Sequence, residues 1–148
     1  MFLLEKLSNS ENNKFATAVV SRGKALSFLA ASHEDPKHPG AIKKVLFDSS
    51  TLPSGKVQMV NWARVPAAKG FQSHYHEDMH EVFIIVSGRG EMTVNSESVV
   101  LESGDAILVP PRTLHSMNAL DGNDLDYVVF GVSSGENGKT VVTSSELG

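Results

Sequence analysis

After Ala41 the chain consists of short β-branched and aromatic segments that are separated by turn-forming residues. Strands at such intervals predict an all-β fold, either an antiparallel sandwich or a barrel. No segment in this region keeps the apolar period of an amphipathic helix, so we expect no helix there. The expected strands are residues 45–47, 57–65, 71–76, 81–86, 91–94, 99–101, 106–109, 115–118 and 127–132.

The breaks between these segments carry residues that accept a positive φ angle. Gly and Asn enter the left-handed region at little cost, so they favour tight turns between antiparallel strands. We expect such turns at residues 87–90, 95–97, 103–105 and 121–123.

The length of 148 residues suits one domain with its own core. We divide the chain into an N-terminal arm of uncertain structure (residues 1–40), a β-barrel (residues 41–133) and a polar C-terminal tail (residues 134–148). In the arm, His33 and His38 flank a proline loop and are expected to be exposed. In the tail, only Thr140–Val142 resembles a strand.

Composition excludes several kinds of site and partner. The chain has no cysteine, so any metal must be held by nitrogen and oxygen ligands. Its net charge of −4 is not gathered into blocks, which predicts neither a nucleic-acid nor a membrane partner. The longest apolar run, residues 82–86, is far below the ~20 residues of a membrane span. Because Glu5 and Lys6 interrupt the apolar start before a signal peptide develops, we expect a soluble, cytoplasmic protein.

His74 and His76 form a His-x-His pattern within one expected strand. Side chains two residues apart in a strand share a face and lie ~6.6 Å apart, a separation that one bound ion can bridge. On a helix the same spacing would turn the two rings about 200° apart, so the pattern works as a metal site only in a strand. By itself the pattern is weak, because exposed histidines need no function.

Glu81 begins the most apolar segment, four residues after His76. We expect a tight turn here that returns the chain antiparallel and sets the Glu81 carboxylate opposite the two histidines. Two imidazoles and one carboxylate would form a facial triad with open coordination positions. His115 follows two prolines and could complete the site from across the barrel.

At these residues the sequence resembles the cupin family. Its first motif, His-x-His followed by Glu and Gly, is matched by His74, His76, Glu81 and Gly88, with four and six residues in the last two intervals. Its second motif has a Gly, five residues, a Pro and then a His. Gly104, Pro110 and His115 match that motif.

Three positions differ from the family motifs. Gly70 lies closer to His74 than the motif glycine does, Arg112 stands where the second motif has glycine, and Asn118 comes one position early. None of these differences removes a ligand. They leave the backbone at Arg112 open to question and make Asn118 unsuited to its usual role.

The resemblance covers about residues 57–132 and implies a single-domain jelly-roll β-barrel, with three histidines and one glutamate around a divalent transition metal. Fe, Mn, Ni, Zn and Co all suit such ligands. The resemblance also implies a homodimer formed through the sheet. We expect the metal to be lost as the histidines titrate below about pH 6.

Strand alternation also sorts the neighbouring residues. His80 should point away from the metal, and Glu77 and Asp78 should be solvated turn residues. If Glu81 faces inward, Phe83 and Ile85 do too and form an apolar wall. Further residues, Trp62, Gln72, Met117 and Tyr127 among them, lie on strands around the cavity without a predicted face, and an inward Arg64 would select an anionic ligand.

Two functions stay open at this point. One is a metal-dependent enzyme that oxygenates, isomerises or cleaves a small polar metabolite. The other is a non-catalytic module that binds or senses a sugar or acid in the same pocket. A cupin whose metal only stabilises the barrel is disfavoured by the complete ligand set.

Overall fold

The computed structural model describes residues 4–6, 19–52, 55–133 and 139–143. Within these ranges the protein is all-β, and its only helical element is one 3-10 turn at Gly23–Ala25. The strands are β1 (Leu4–Lys6), β2 (Val19–Ser21), β3 (Leu29–Ala30), β4 (Ile42–Phe47), β5 (Val57–Val65), β6 (His74–His76), β7 (Met79–Ser87), β8 (Arg89–Val94), β9 (Glu97–Glu102), β10 (Ala106–Val109), β11 (His115–Ala119), β12 (Leu125–Ser133) and β13 (Thr140–Val142).

Two antiparallel sheets form the body of the protein. One has the strand order β10-β7-β12-β5-β4-β3, the other has the order β13-β6-β11-β8-β9, and β1 pairs separately with β2. This arrangement confirms the predicted all-β jelly roll. The strands β5 and β10 have the predicted bounds, whereas the segment predicted at residues 71–76 is a strand only at β6.

The core lies between the two sheets and follows strand alternation. Along β7 the side chains of Met79, Glu81, Phe83 and Ile85 are buried, which confirms the predicted inward direction of Phe83 and Ile85. Burial of each large apolar side chain contributes roughly 1.5–3 kcal/mol. The other fully buried large apolar residues include Val65, Met92, Val109, Met117 and Leu125.

The connection from β6 to β7 differs from the prediction. The expected antiparallel return is wrong, because Glu77 and Asp78 carry the chain from the five-stranded sheet to the six-stranded sheet. The three-residue strand β6 already pairs with β11 on one edge and β13 on the other, so no edge is left for β7. Glu81 therefore faces the histidines from across the barrel interior.

The predicted turns have positive φ angles at Gly88, Asn95, Gly104 and Gly122. Arg112 also has a positive φ, of 57°, and its backbone N–H donates a hydrogen bond to the His76 carbonyl at 2.7 Å. The turn therefore keeps the conformation that suits a glycine, although an L-residue is less stable there than glycine.

Among the described residues, no helix is long and apolar enough to span a membrane.

We predict that Arg112→Gly raises the free energy of unfolding by about 0.5–1 kcal/mol, because glycine has no Cβ to strain at this φ angle. Urea denaturation of the wild type and the variant measures the change. Arg112→Ala is the matched control, since it removes the exposed side chain but keeps the Cβ. Equal stabilisation by both variants would show that the backbone conformation is not the cause.

Candidate metal centre

Four predicted residues meet inside the barrel. His74 and His76 come from β6, Glu81 from β7 and His115 from β11, and all four are buried. One donor atom from each lies within 4.8 Å of those of the others, so the group could hold a metal ion. The Cα atoms of His74 and His115 are direct cross-strand partners, which explains why residues 41 positions apart adjoin. The binding of metal itself stays a prediction.

Each histidine ring is held through its Nδ1 atom. Nδ1 of His74 lies 2.8 Å from the Gln72 carbonyl, and Nδ1 of His115 lies 2.9 Å from the Thr113 carbonyl. A carbonyl can only accept, so Nδ1 carries a proton in both rings, and in the neutral form of each ring Nε2 keeps its lone pair. Metal-bound histidines are oriented by outer hydrogen bonds of this kind.

The carboxylate of Glu81 lies between two of the rings. Its Oε1 is 2.9 Å from His76 Nε2 and its Oε2 is 3.2 Å from His115 Nε2. The Nε2 atom of His74 is buried without a hydrogen-bond partner among the described residues. Because buried polar atoms without partners are rare in native proteins, this lone pair fits a metal ligand.

The ionisation of the cluster also suits a metal. Burial would raise the pKa of Glu81, but the contacts with His115 and His76 hold it below its usual range, so the carboxylate is charged. Burial, and then the charge of His115, lower the pKa of His74 to about 4. The site therefore offers a carboxylate and a neutral imidazole at neutral pH, the protonation states that a metal requires.

A fourth histidine, His33, lies beside this cluster, so its predicted exposure is wrong. Its ring stacks on that of His74 with centroids 3.9 Å apart. Its Nε2 lies 3.5 Å from Glu34 Oε1 and has no hydrogen-bond partner among the described residues. Burial, and then the charge of His74, lower the pKa of His33 to about 3. His38 is exposed, as predicted.

Glu34 explains how His33 reaches the interior. Its buried carboxylate accepts backbone hydrogen bonds from Gly40 at 3.1 Å and from Gln72 at 2.7 Å. These bonds fasten the loop of the arm to the segment that precedes β6. A Cβ on Gly40 would lie 1.8 Å from the Gly70 carbonyl oxygen, so the close approach requires glycine. No periodic signal in the arm predicts this contact.

The tail contributes to the site through β13. Thr140 is the cross-strand partner of His76, and its hydroxyl lies 2.9 Å from His76 Nδ1. The strand-like pattern of Thr140–Val142 is confirmed. Its role beside His76 is not visible in the sequence, because the pairing joins residues 64 positions apart.

Other candidate residues lie away from the cluster. His80 is half-buried and is not part of it, and Glu77 and Asp78 link β6 to β7. Arg64 lies on the outer face of β5, where its Nε donates to Asp126 Oδ1 at 2.6 Å. Since Arg64 is already paired and does not line the cavity, it does not select a ligand there.

A cavity of about 210 Å³ opens over the cluster. The hydroxyl-bearing Tyr127 is buried in its wall, and burial raises the pKa of this phenol, which therefore stays protonated. The lining residues are Ala31, Ser32, His33, Lys43, Gln58, Met59, Asn61, Ala63, Phe71, His76, Met79, Glu81, Phe83, Tyr127, Val129 and Thr140.

Comparison with curated proteins identifies one distant relative. The chain is 35% identical over 63 residues to the uncharacterized protein MJ1618 of Methanocaldococcus jannaschii. The match covers 43% of this chain and 50% of that protein, so the chain spans about half the length of the relative.

Solved structures share the fold at low sequence identity. A predicted oxalate decarboxylase from Thermotoga maritima superposes with a TM-score of 0.68 and 20% identity, over 78% of this chain and 99% of that chain. The Streptomyces nucleoside dehydratase Pac13 gives a TM-score of 0.62 and 19% identity, over 82% and 88% of the two chains.

The family model of the cupin domain (Cupin_2) matches residues 61–131. These residues include all four members of the cluster and nearly all of the strands that hold it. The match agrees with the two-sheet jelly roll and with the resemblance of both sequence motifs. The chain therefore contains a small domain of the cupin superfamily, which spans residues 61–131.

Proposed function

We propose that this protein is a metal-dependent enzyme that acts on a small polar metabolite. The observation that carries the proposal is the convergence of His74, His76, Glu81 and His115 beside a cavity that His76 and Glu81 line. These residues would hold one divalent transition-metal ion. Such an ion, when bound, supplies Lewis-acid or redox chemistry at the coordination positions that the protein leaves open.

The residues around the cavity suit a polar substrate. The Tyr127 phenol stays protonated and can donate a hydrogen bond, and the neutral His33 ring has an Nε2 atom without a hydrogen-bond partner among the described residues. Phe71 and Phe83 give the cavity an apolar wall that excludes water from part of the substrate. Related folds carry different chemistries, so the reaction must be found by experiment.

A binding or sensing module is the second candidate, because the same cavity could capture a sugar or acid without turnover. A turnover screen with oxygen, sugars, keto acids and catechols separates the two functions. Saturable binding of a compound without any product would favour the module, and product formation that depends on the metal would favour the enzyme.

We predict that His76→Ala lowers the affinity for the bound metal by more than about 100-fold, because the variant loses a direct ligand. Metal analysis of protein purified without added metal, followed by titration of the metal-free proteins with the metal, measures this loss. His80→Ala is the matched control, since His80 is near in sequence and outside the cluster. A wild type without bound metal, even after incubation with Fe, Mn, Ni, Zn or Co, would overturn the proposed function.

The same titrations can include Thr140→Val, which keeps the side-chain shape and removes the hydroxyl beside His76 Nδ1. Loss of an outer hydrogen-bond partner typically weakens metal binding by about 10- to 100-fold. Thr143→Val is the control, because the Thr143 hydroxyl donates to the Ser73 carbonyl and not to a cluster residue. Equal affinities in both variants would show that Thr140 does not orient His76.

We predict that the metal-free protein loses stability as the pH falls from about 6.5 toward 4. The unfolded chain protonates His33 and His74 near pH 6.5, but their folded-state pKa values are about 3 and about 4. The unfolded state therefore binds more protons in this window, which lowers the free energy of unfolding by on the order of 2 kcal/mol for each histidine at pH 5.

Urea denaturation at pH 7 and pH 5 measures this loss. His33→Gln should reduce it, whereas His38→Ala, at an exposed position, should leave it unchanged. A stability that does not depend on pH in this range would contradict the prediction. Because the pKa of His74 is lowered, protons compete with the metal for this ring only at a pH below the value of about 6 that is expected for an ordinary histidine.

We propose that the homodimer implied by the family resemblance forms through the outer face of the six-stranded sheet. This face exposes Ile84, Val86 and Leu108, and Leu108 is 57% exposed. Burial of such a patch would favour association. Sedimentation should show a wild-type dimer and a shift toward monomer for Leu108→Asp, but not for Leu29→Asp on the edge strand β3. A monomeric wild type would contradict the proposal.

A further inference from the structure

Lys43 is a cation at the cavity that the metal site does not use. It lies on β4 and lines the cavity together with Ser32, whose hydroxyl accepts a hydrogen bond from Nζ. Among the described residues, Lys43 forms no ion pair with a carboxylate. The adjacent Lys44 is different, because its Nζ donates to the Gly23 carbonyl at 2.8 Å and lies over the Phe28 ring.

The charges around the cavity do not balance once a metal is bound. A divalent ion with one carboxylate and three neutral imidazoles leaves a net charge of about +1, and Lys43 adds a second positive charge. Glu81 is the only acid among the described residues that line the cavity. A ligand with negative charge would therefore be more stable here than a neutral one of the same shape.

Uncharged polar groups and apolar walls limit the ligand further. The Asn61 side chain is buried, and its Oδ1 has no hydrogen-bond partner among the described residues. Phe71, Phe83 and Val129 provide apolar contact for a carbon chain. The cavity of about 210 Å³ equals the space of about seven water molecules, so it holds a ligand of on the order of ten non-hydrogen atoms.

We propose that the ligand of this cavity is a short organic carboxylate and that Lys43 is the residue that selects its negative charge. The proposal rests on the proposed function, since the metal provides part of the positive charge. Lys43 acts here as a specificity residue. The carbon chain lies against the apolar wall, and inorganic anions, which have no such chain, bind more weakly.

Calorimetric titration of the metal-loaded protein tests the proposal, with glycolate, pyruvate, malonate and succinate as probes. The corresponding neutral amides and inorganic phosphate are the comparison ligands. We expect at least one carboxylate to bind about 10- to 100-fold more tightly than its amide, because a charge-assisted contact replaces a neutral one. Lys43→Met should reduce this difference, because only the metal then attracts the negative charge, and should leave the amide affinity unchanged.

Lys44→Met is the matched control and should keep the preference for carboxylates, and Lys43→Arg should keep it in part. Carboxylates that bind no better than amides, or phosphate that binds more tightly than every carboxylate, would overturn the proposal. The comparison of carboxylate and amide affinities uses the wild type alone, so it tests the proposal even if Lys43→Met does not fold. Metal content is measured first: a metal-free wild type overturns the proposed function as well, whereas normal metal content with no carboxylate preference overturns this inference alone.

Discussion

The contact of the buried Glu81 carboxylate with His76 and His115 is the interaction on which the rest of the site depends. A charged carboxylate inside a barrel is costly unless polar partners surround it. Here both oxygens are within 3.2 Å of imidazole nitrogens, and carbonyl groups hold the far sides of His74 and His115. The two sheets therefore have to stay in a fixed position relative to each other, because Glu81 comes from one sheet and the histidines come from the other.

Segments outside the family match support this arrangement from two sides. Glu34 fastens the arm to the backbone just before β6 and brings His33 against His74. From the other end of the chain, Thr140 reaches His76 through the pairing of β13 with β6. Both contacts act on histidines of one short strand, so this strand is positioned by residues from both ends of the chain.

The cavity combines an apolar wall with a small number of polar groups, as ligand sites commonly do. The polar groups differ in character: His33 and Tyr127 are uncharged, whereas Lys43 carries a charge without a carboxylate partner among the described residues. The two uncharged groups suit any polar ligand, whereas a lysine would favour a ligand with negative charge. The proposed recognition of an anion therefore falls to Lys43 on β4 and not to Arg64 on the neighbouring strand, which is paired with Asp126 on the outer face.

The sequence by itself determined the strand pattern, the positive-φ turns and the four candidate ligands, because alternation and motif spacing are local properties of the chain. It could not predict that β6 and β7 belong to different sheets, since that depends on which strand edges are already paired. It also did not reveal His33, Thr140 or Lys43 at the cavity. Only the tertiary structure decided those positions, because hydrogen bonds and pairings between distant segments, such as Glu34 with Gln72, bring these residues to the cavity.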